Sequence, residues 1–307
     1  MIARCEFCGS KRSCSLFEAQ DLLYGKIVHS EMVRCNDCGL IYLWPQPTEL
    51  LNSYPAGYGP HVGQRDSADL AYSTGYMAGL LRKAKLVGQY QHGPLLDIGC
   101  GAGQFLAITN DLGNLPSYGM DRSEKAVQYA QQRWGVKVWV GDVPGIPLPD
   151  SSISVVTMWH VLEHLPHPLL ALHDVARVLW PSGVLILACP VIDSWEARIF
   201  GRYWAGYDAP RHLFVYSRQT LRRMLQCAGF EVSEVPNLVW GYNSARLSSI
   251  FWLKKHSIFL RNRCLLRGTA ALIGISTAAV FSLISRFLGN CASVAVFIAR
   301  KCSSLKG

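Results

Sequence analysis

The chain has 307 residues, half of them hydrophobic, and a formal net charge of +9. That length suits one large domain or a core with appendages, and the apolar share is ample for a sizeable core. Its eleven cysteines are odd in number and four sit at metal-ligand spacing. A reducing cytoplasm is therefore expected, and a disulfide framework is not.

The first residues, Met1 to Cys5, run straight into a cysteine motif, so a secretory leader is not expected. Cys5-Glu6-Phe7-Cys8 and Cys35-Asn36-Asp37-Cys38 are two C-x-x-C pairs. Each pair presents two thiolates from one tight turn, and two turns complete a tetrahedron around zinc. Lys26–Val28 and Glu31–Arg34 read as strands between them, and Leu40–Leu43 follows the second pair. A closed, structural zinc site on Cys5, Cys8, Cys35 and Cys38 is expected; Cys14 fits neither turn. Residues 1–47 form this ribbon-like segment, too short to build much core without a metal. Its role stays open between stability and recognition of a substrate or partner. Residues 48–90 read as a linker or lid with Tyr54, Tyr58, Tyr72 and Tyr76, ending in a helix around Met77 to Tyr90.

Leu95-Leu96-Asp97-Ile98 is an apolar strand carrying an acid, and Gly99, Gly101 and Gly103 follow at alternate positions. An open α/β sheet receives a nucleotide-like ligand in such a turn, where a Cβ would block the approach of backbone to ligand. A dinucleotide site would use G-x-G-x-x-G, but Gln104 stands where its last glycine would fall. Asp121 closes a second strand, Ser117–Met120, about twenty residues on, where an acid can accept both ribose hydroxyls. Val138–Val140 leads to Asp142, and Ile153–Trp159 is a buried fourth strand. Then come His160-Val161-Leu162-Glu163-His164-Leu165-Pro166, the stretch from Val175 to Pro190 with its Pro-Ser-Gly turn, and Arg211-His212-Leu213-Phe214. Cys100, Cys189 and Cys227 fall in apolar elements, as small core residues do.

In this order and register, residues 90–235 resemble the class I S-adenosylmethionine-dependent methyltransferases, in their ubiquinone-biosynthesis-like branch. The cysteine segment resembles the zinc ribbon fused ahead of some sugar and cofactor methyltransferases. The resemblance implies an α/β fold: a Rossmann-like seven-stranded sheet with helices on both faces over residues 91–307. It also implies S-adenosylmethionine as cofactor. Gly99, Cys100, Gly101 and Gly103 would approach its methionine part, with Asp97 orienting that region. Asp121 and Arg122 would hold the ribose, Asp142 would read the adenine amino group, and Val143 and Trp159 would border the ring. One departure is the missing acid at the start of the fourth strand, where Ser152-Ile153-Ser154 stands with Asp150 nearby.

Methyl transfer needs alignment of donor and acceptor, and a base when the acceptor loses a proton. His160, His164 and His212 are the candidates, against structural roles for each. His164 is expected one helical turn beyond His160, on the same face. His160 to His164 also spells H-x-x-E-H, the inverted zinc-peptidase signature, but Pro166 and Pro168 cut such a helix short. Trp195, Tyr203, Trp204 and Tyr207, with Arg198, Arg202 and Arg211, suit an acceptor wall or simple packing.

No acidic residue follows Glu234, whereas ten Lys or Arg do. Residues 268–285 carry no charge, near the lower limit for a membrane span. A final strand at Ser293–Lys301 argues against a single crossing. A helical insertion over about 245–290 is expected to rest on anionic membrane through Lys254, Lys255, Arg261, Arg263 and Arg267, or to pack on protein. The implied acceptor is a small molecule, a sugar or a lipid-linked compound, in the cytoplasm or at the inner membrane face. Two other readings stay open: a non-catalytic binding or scaffold protein of the same fold, and an RNA methyltransferase. Nucleic acid is the less expected partner, because Met158-Trp159-His160 replaces the N/D-P-P-Y/F signature of base amino-group methylation.

Overall fold

The computed structural model describes residues 4–48, 70–113, 115–236, 238, 242–256, 272, 276, 280 and 292–302. The first elements are β1 (Ser13–Glu18), β2 (Glu31–Cys35), β3 (Ile41–Trp44) and α1 (Leu70–Gly88). Then β4 (Leu95–Ile98), α2 (Gln104–Leu112), β5 (Ser117–Asp121), α3 (Glu124–Trp134), β6 (Lys137–Val140) and β7 (Ile153–Trp159) alternate. The last are α4 (Pro168–Val178), β8 (Leu179–Pro190), α5 (Trp195–Phe200), β9 (Phe214–Val215), α6 (Arg218–Cys227), β10 (Phe230–Val235), α7 (Tyr242–His256) and β11 (Val294–Lys301). By contact the chain divides into two units.

One unit comprises residues 54–188, 223–238 and 296–307. Its sheet has seven strands in the order β10-β11-β8-β7-β4-β5-β6. The strands from β8 through β7 and β4 to β6 run parallel, and β10 and β11 pair antiparallel. This is the expected Rossmann-like sheet, including an antiparallel last strand. Every residue of β4 is buried, as are six of the seven in β7. Central parallel strands are covered on both faces, so they read as continuous apolar runs. Local chemistry sets the helix ends. Ser123 Oγ accepts the Ala126 amide at the start of α3, and Gly135 closes that helix at φ +65°. Pro168 opens α4, where its missing N–H costs nothing.

The other unit comprises residues 1–53, 189–222 and 239–295. Its four-stranded sheet has the order β1-β2-β3-β9. Glu31–Arg34 and Leu40–Leu43 match β2 and β3, but Lys26–Val28 is not a strand; β1 pairs with β2 instead. The Asp21 carboxylate accepts the Leu23 and Tyr24 amides and Gly25 sits at φ +71°, so the chain turns there before any strand could start. Ile27 is left 84% exposed. Helix α7 opens the expected insertion. The rest of that insertion, including the uncharged stretch 268–285 apart from three isolated helical residues, lies outside the described residues, as do Tyr54 and Tyr58. Among the described residues no helix is long and apolar enough to cross a membrane.

Candidate active site and cysteine cluster

The residues expected to hold a cofactor gather at the carboxyl ends of β4, β5, β6 and β7. Gly99, Gly101 and Gly103 lie at φ +70°, +51° and +79°, in the left-handed region that side chains disfavour. Glycine is also required by packing at two of them. A Cβ on Gly99 would sit 2.4 Å from Val161 Cγ2, and one on Gly103 would sit 2.7 Å from Ala130 Cβ. Asp121, buried, ties this turn to β5: its Oδ2 accepts the Gly101 amide at 2.8 Å and its Oδ1 the Ser123 amide at 2.8 Å. Each carboxylate oxygen keeps a further lone pair for a hydroxyl. Cys100 is buried beside the same turn and Arg122 is half-buried beyond it.

Asp97 lies within the sheet, where its register partner Thr157 donates a 2.6 Å hydrogen bond to Oδ1. Burial pushes its carboxyl up to about 7, against the pull of Thr157 and the Lys83 charge. Lys83, on α1, holds its Nζ 4.6 Å from the Trp159 ring centroid, and desolvation pushes its ammonium down to about 8. Trp159 packs edge-on against Phe105, and its buried Nε1 has no hydrogen-bond partner among the described residues. Asp142 is exposed, with Oδ1 accepting the Val143 amide at 2.8 Å, while Val143 is buried. The loop after β6 is pinned by Asp174, which accepts the Gly145 and Ile146 amides, and by Arg177, which donates to the carbonyls of Ile146 and Leu148. Asp150 pairs with Arg177 at 2.8 Å, a structural role for the acid nearest the β7 start.

His160 follows β7 at φ +59°, its amide donating to Ala188 O. Its Nδ1 lies 3.3 Å from Oε1 of the buried Glu163. Leu162–His164 is a single 3-10 turn, so the same-face α-helical relation expected between His160 and His164 does not form. Three residues per turn and the Pro166 stop leave no room for it. His164 is half-buried. His212 belongs to the other unit and is buried, with Nδ1 2.8 Å from Gly206 O. In that unit Trp204 and Arg211 are fully buried, so they pack inside it instead of lining a wall.

Cys5, Cys8, Cys35 and Cys38 come together: their Sγ atoms all lie within 4.8 Å of one another, with 3.5 Å for Cys5–Cys38 and for Cys8–Cys35. The two turns are built alike. Gly9 donates to Cys5 O and Gly39 to Cys35 O, both glycines at positive φ. Four thiols so arranged could hold a metal ion. Cys14 is exposed on β1 and outside the cluster. Sequence reasoning missed Lys83, Thr157 and the partnership of Glu163 with His160; none lies in a local motif.

The family described as a methyltransferase domain matches residues 73–235. A probable S-adenosylmethionine-dependent methyltransferase of Mycolicibacterium smegmatis is 30% identical over 160 residues, covering 50% of this chain and 58% of that protein. A demethylmenaquinone methyltransferase of Staphylococcus aureus is 30% identical over 160 residues, covering 44% of this chain and 66% of that protein. The chain thus spans little more than half the length of the first of these relatives. Among solved structures, a "putative sarcosine dimethylglycine methyltransferase" from Galdieria sulphuraria superposes with a TM-score of 0.51 at 14% identity, covering 79% of this chain and 93% of that one. That likeness concerns the fold.

Proposed function

The chain belongs to the methyltransferase-domain family, and from that premise we propose that it moves a methyl group from S-adenosylmethionine to a small-molecule, sugar or lipid-linked acceptor. The observation that carries this reading is the glycine turn after β4, clamped by the Asp121 carboxylate. The donor set fits the cofactor. Carboxylates at Asp97, Asp121 and Asp142 match an ammonium, a pair of ribose hydroxyls and an adenine amino group. Trp159 supplies an N–H that lacks a partner. Gly99, Cys100, Gly101, Gly103, Arg122 and Val143 complete the binding surface. When bound, the cofactor supplies an activated methyl group on a sulfonium, so no metal or covalent enzyme intermediate is required.

What remains for the chain is alignment and proton removal. His160 Nδ1 lies 3.3 Å from the Glu163 carboxylate; with the imidazole proton on Nδ1, on the side of that carboxylate, the lone pair falls on Nε2, the nitrogen that would take an acceptor's proton. His164 and His212 are the further candidates. The S. aureus relative, named for a menaquinone precursor, supports a lipid-linked acceptor, and Lys254 and Lys255 at the end of α7 support contact with an anionic membrane. Cys5, Cys8, Cys35 and Cys38 suit structural zinc. A tetrahedron with Zn–S bonds of about 2.3 Å has sulfur–sulfur edges of about 3.8 Å, close to the spacing of these thiols. Four thiolates leave the metal no open position for catalysis.

Calorimetric titration of S-adenosylmethionine into the wild type and an Asp121→Ala variant tests the cofactor assignment. Saturable binding that the variant loses supports it. A folded wild type that binds nothing defeats it and favours a scaffold role for the same fold.

A further inference from the structure

The fully buried guanidinium of Arg211 has no place in the cofactor site, yet among the described residues of its unit it is paired with two carboxylates at once. Nη1 and Nη2 fork onto the two oxygens of Asp21 at 3.1 and 2.9 Å, across 190 residues of sequence. Nε and Nη2 fork onto Asp208 at 2.9 and 2.6 Å. Asp21 itself is 4% exposed and also closes the turn at Leu23 and Tyr24. A buried ion pair is weak evidence for added stability, because desolvation consumes most of its Coulomb energy; fixing one arrangement is its better-attested use. Planar, two-pronged pairing suits Arg211 to that task.

The arrangement it fixes is the cysteine segment against residues 208–216. Leu43 donates to Leu213 O at 2.9 Å, Tyr42 pairs with Phe214 and Ile41 with Val215, so β9 is the fourth strand of the ribbon's own sheet. Thr220 Oγ1 lies 3.4 Å from Cys38 O, on the second cysteine turn. Between the Arg211 forks and the β9 ladder stands His212. Its Nδ1 is held by Gly206 O, and Gly206 must be glycine because a Cβ there would lie 2.2 Å from the Trp204 ring. A ring that donates from Nδ1 carries its lone pair on Nε2.

We infer that the cysteine ribbon is the scaffold that sets the tautomer and orientation of the His212 imidazole, with Asp21 and Arg211 as the positioning pair. The inference rests on the proposed function only for the use made of that histidine. It assigns the ribbon a part beyond its own stability.

The test uses the full chain and needs no acceptor. Side-chain nitrogen NMR of His212, assigned with His212→Gln, reports which ring nitrogen is protonated. Two variants are compared with wild type: Asp21→Asn, and a triple Asp21→Leu, Asp208→Asn, Arg211→Met replacement that removes the guanidinium together with both of its carboxylates, since Asp208 is paired with Arg211 as well. The expected result is loss of the Nδ1–H tautomer in both, with the amide spectrum of residues 95–159 unchanged and affinity for S-adenosylmethionine within twofold of wild type. A folded variant whose His212 signals match wild type overturns the inference. Variants that unfold, or lose the amide pattern of 95–159 together with the histidine signals, overturn it too, since the pair would then serve stability alone. A wild type that binds no cofactor would count against the proposed function and leave the histidine readout intact.

Discussion

Replacing Asp97 by Asn should stabilise the ligand-free protein while weakening its cofactor complex. Asp97 is 2% exposed, and burial carries its carboxyl from 3.8 to about 7. At 1.36 kcal/mol per tenfold in proton affinity, keeping it ionised at pH 8 costs about 4 kcal/mol. Between pH 3.8 and 7 the native protein holds a proton that the unfolded chain has released, so stability falls as pH rises through that window. Lys83 acts in the opposite sense. Its ammonium falls from 10.5 to about 8, so between those values the unfolded chain holds the extra proton and stability rises with pH. The penalty of the pair is therefore greatest near pH 7 to 8. Asparagine keeps the shape and still accepts the Thr157 hydroxyl, but it removes the charge that partly offsets Lys83. A net gain of roughly 2–3 kcal/mol at pH 8 is expected, shrinking towards zero near pH 4. Urea denaturation of both proteins at pH 4.5, 6 and 8 measures it. A variant less stable than wild type at pH 8, or a difference independent of pH, would refute the reasoning. Binding of a cationic cofactor favours the ionised carboxylate, so wild-type affinity should tighten as pH rises from 5 to 7, by at most tenfold per pH step of one. The Asp97→Asn protein should bind more weakly and lose that dependence.

Gly103→Ala combines a left-handed backbone with a 2.7 Å clash against Ala130 and should cost about 2–4 kcal/mol by urea denaturation. Gly135→Ala, at φ +65° with open space around it, should cost only about 1 kcal/mol; equal losses would show that the clash is relieved. The purified chain should carry one zinc per molecule by atomic emission, with content lost in Cys35→Ser and retained in Cys14→Ser. A metal-free wild type would remove the zinc assignment. Full-length protein should co-sediment with phosphatidylglycerol vesicles at low salt, less so after Lys254→Gln and Lys255→Gln; sedimentation insensitive to salt or to those changes would exclude an electrostatic membrane contact.

Residues whose geometry is local were legible in the sequence, because their spacing along the chain is the signal. Gly99, Gly101 and Gly103 need positive φ within five residues, and Asp121 must end the neighbouring strand to reach that turn. The four cysteines are legible for the same reason: two short turns define a tetrahedron. What stayed hidden depends on pairs far apart in sequence. Thr157 meets Asp97 across 60 residues through strand register, and Lys83 meets Trp159 from a helix that precedes the sheet. Neither position differs in type from an ordinary strand threonine or helix lysine. Arg211 shows the cost of reading such a residue locally. Among aromatics and other arginines it suits an acceptor wall or simple packing equally well, and only the structure shows it fully buried and paired with Asp21 and Asp208. The sequence reads the ribbon as a segment ahead of the methyltransferase-like fold, because β9 is only two residues long and has no periodicity to detect. Its membership of the ribbon's sheet is a fact of pairing alone. The same physics makes its surroundings informative: a ladder of two residues contributes little binding of its own, and it is flanked by the Leu43–Leu213 bond, the Ile192–Tyr216 bond and the charged forks on Arg211.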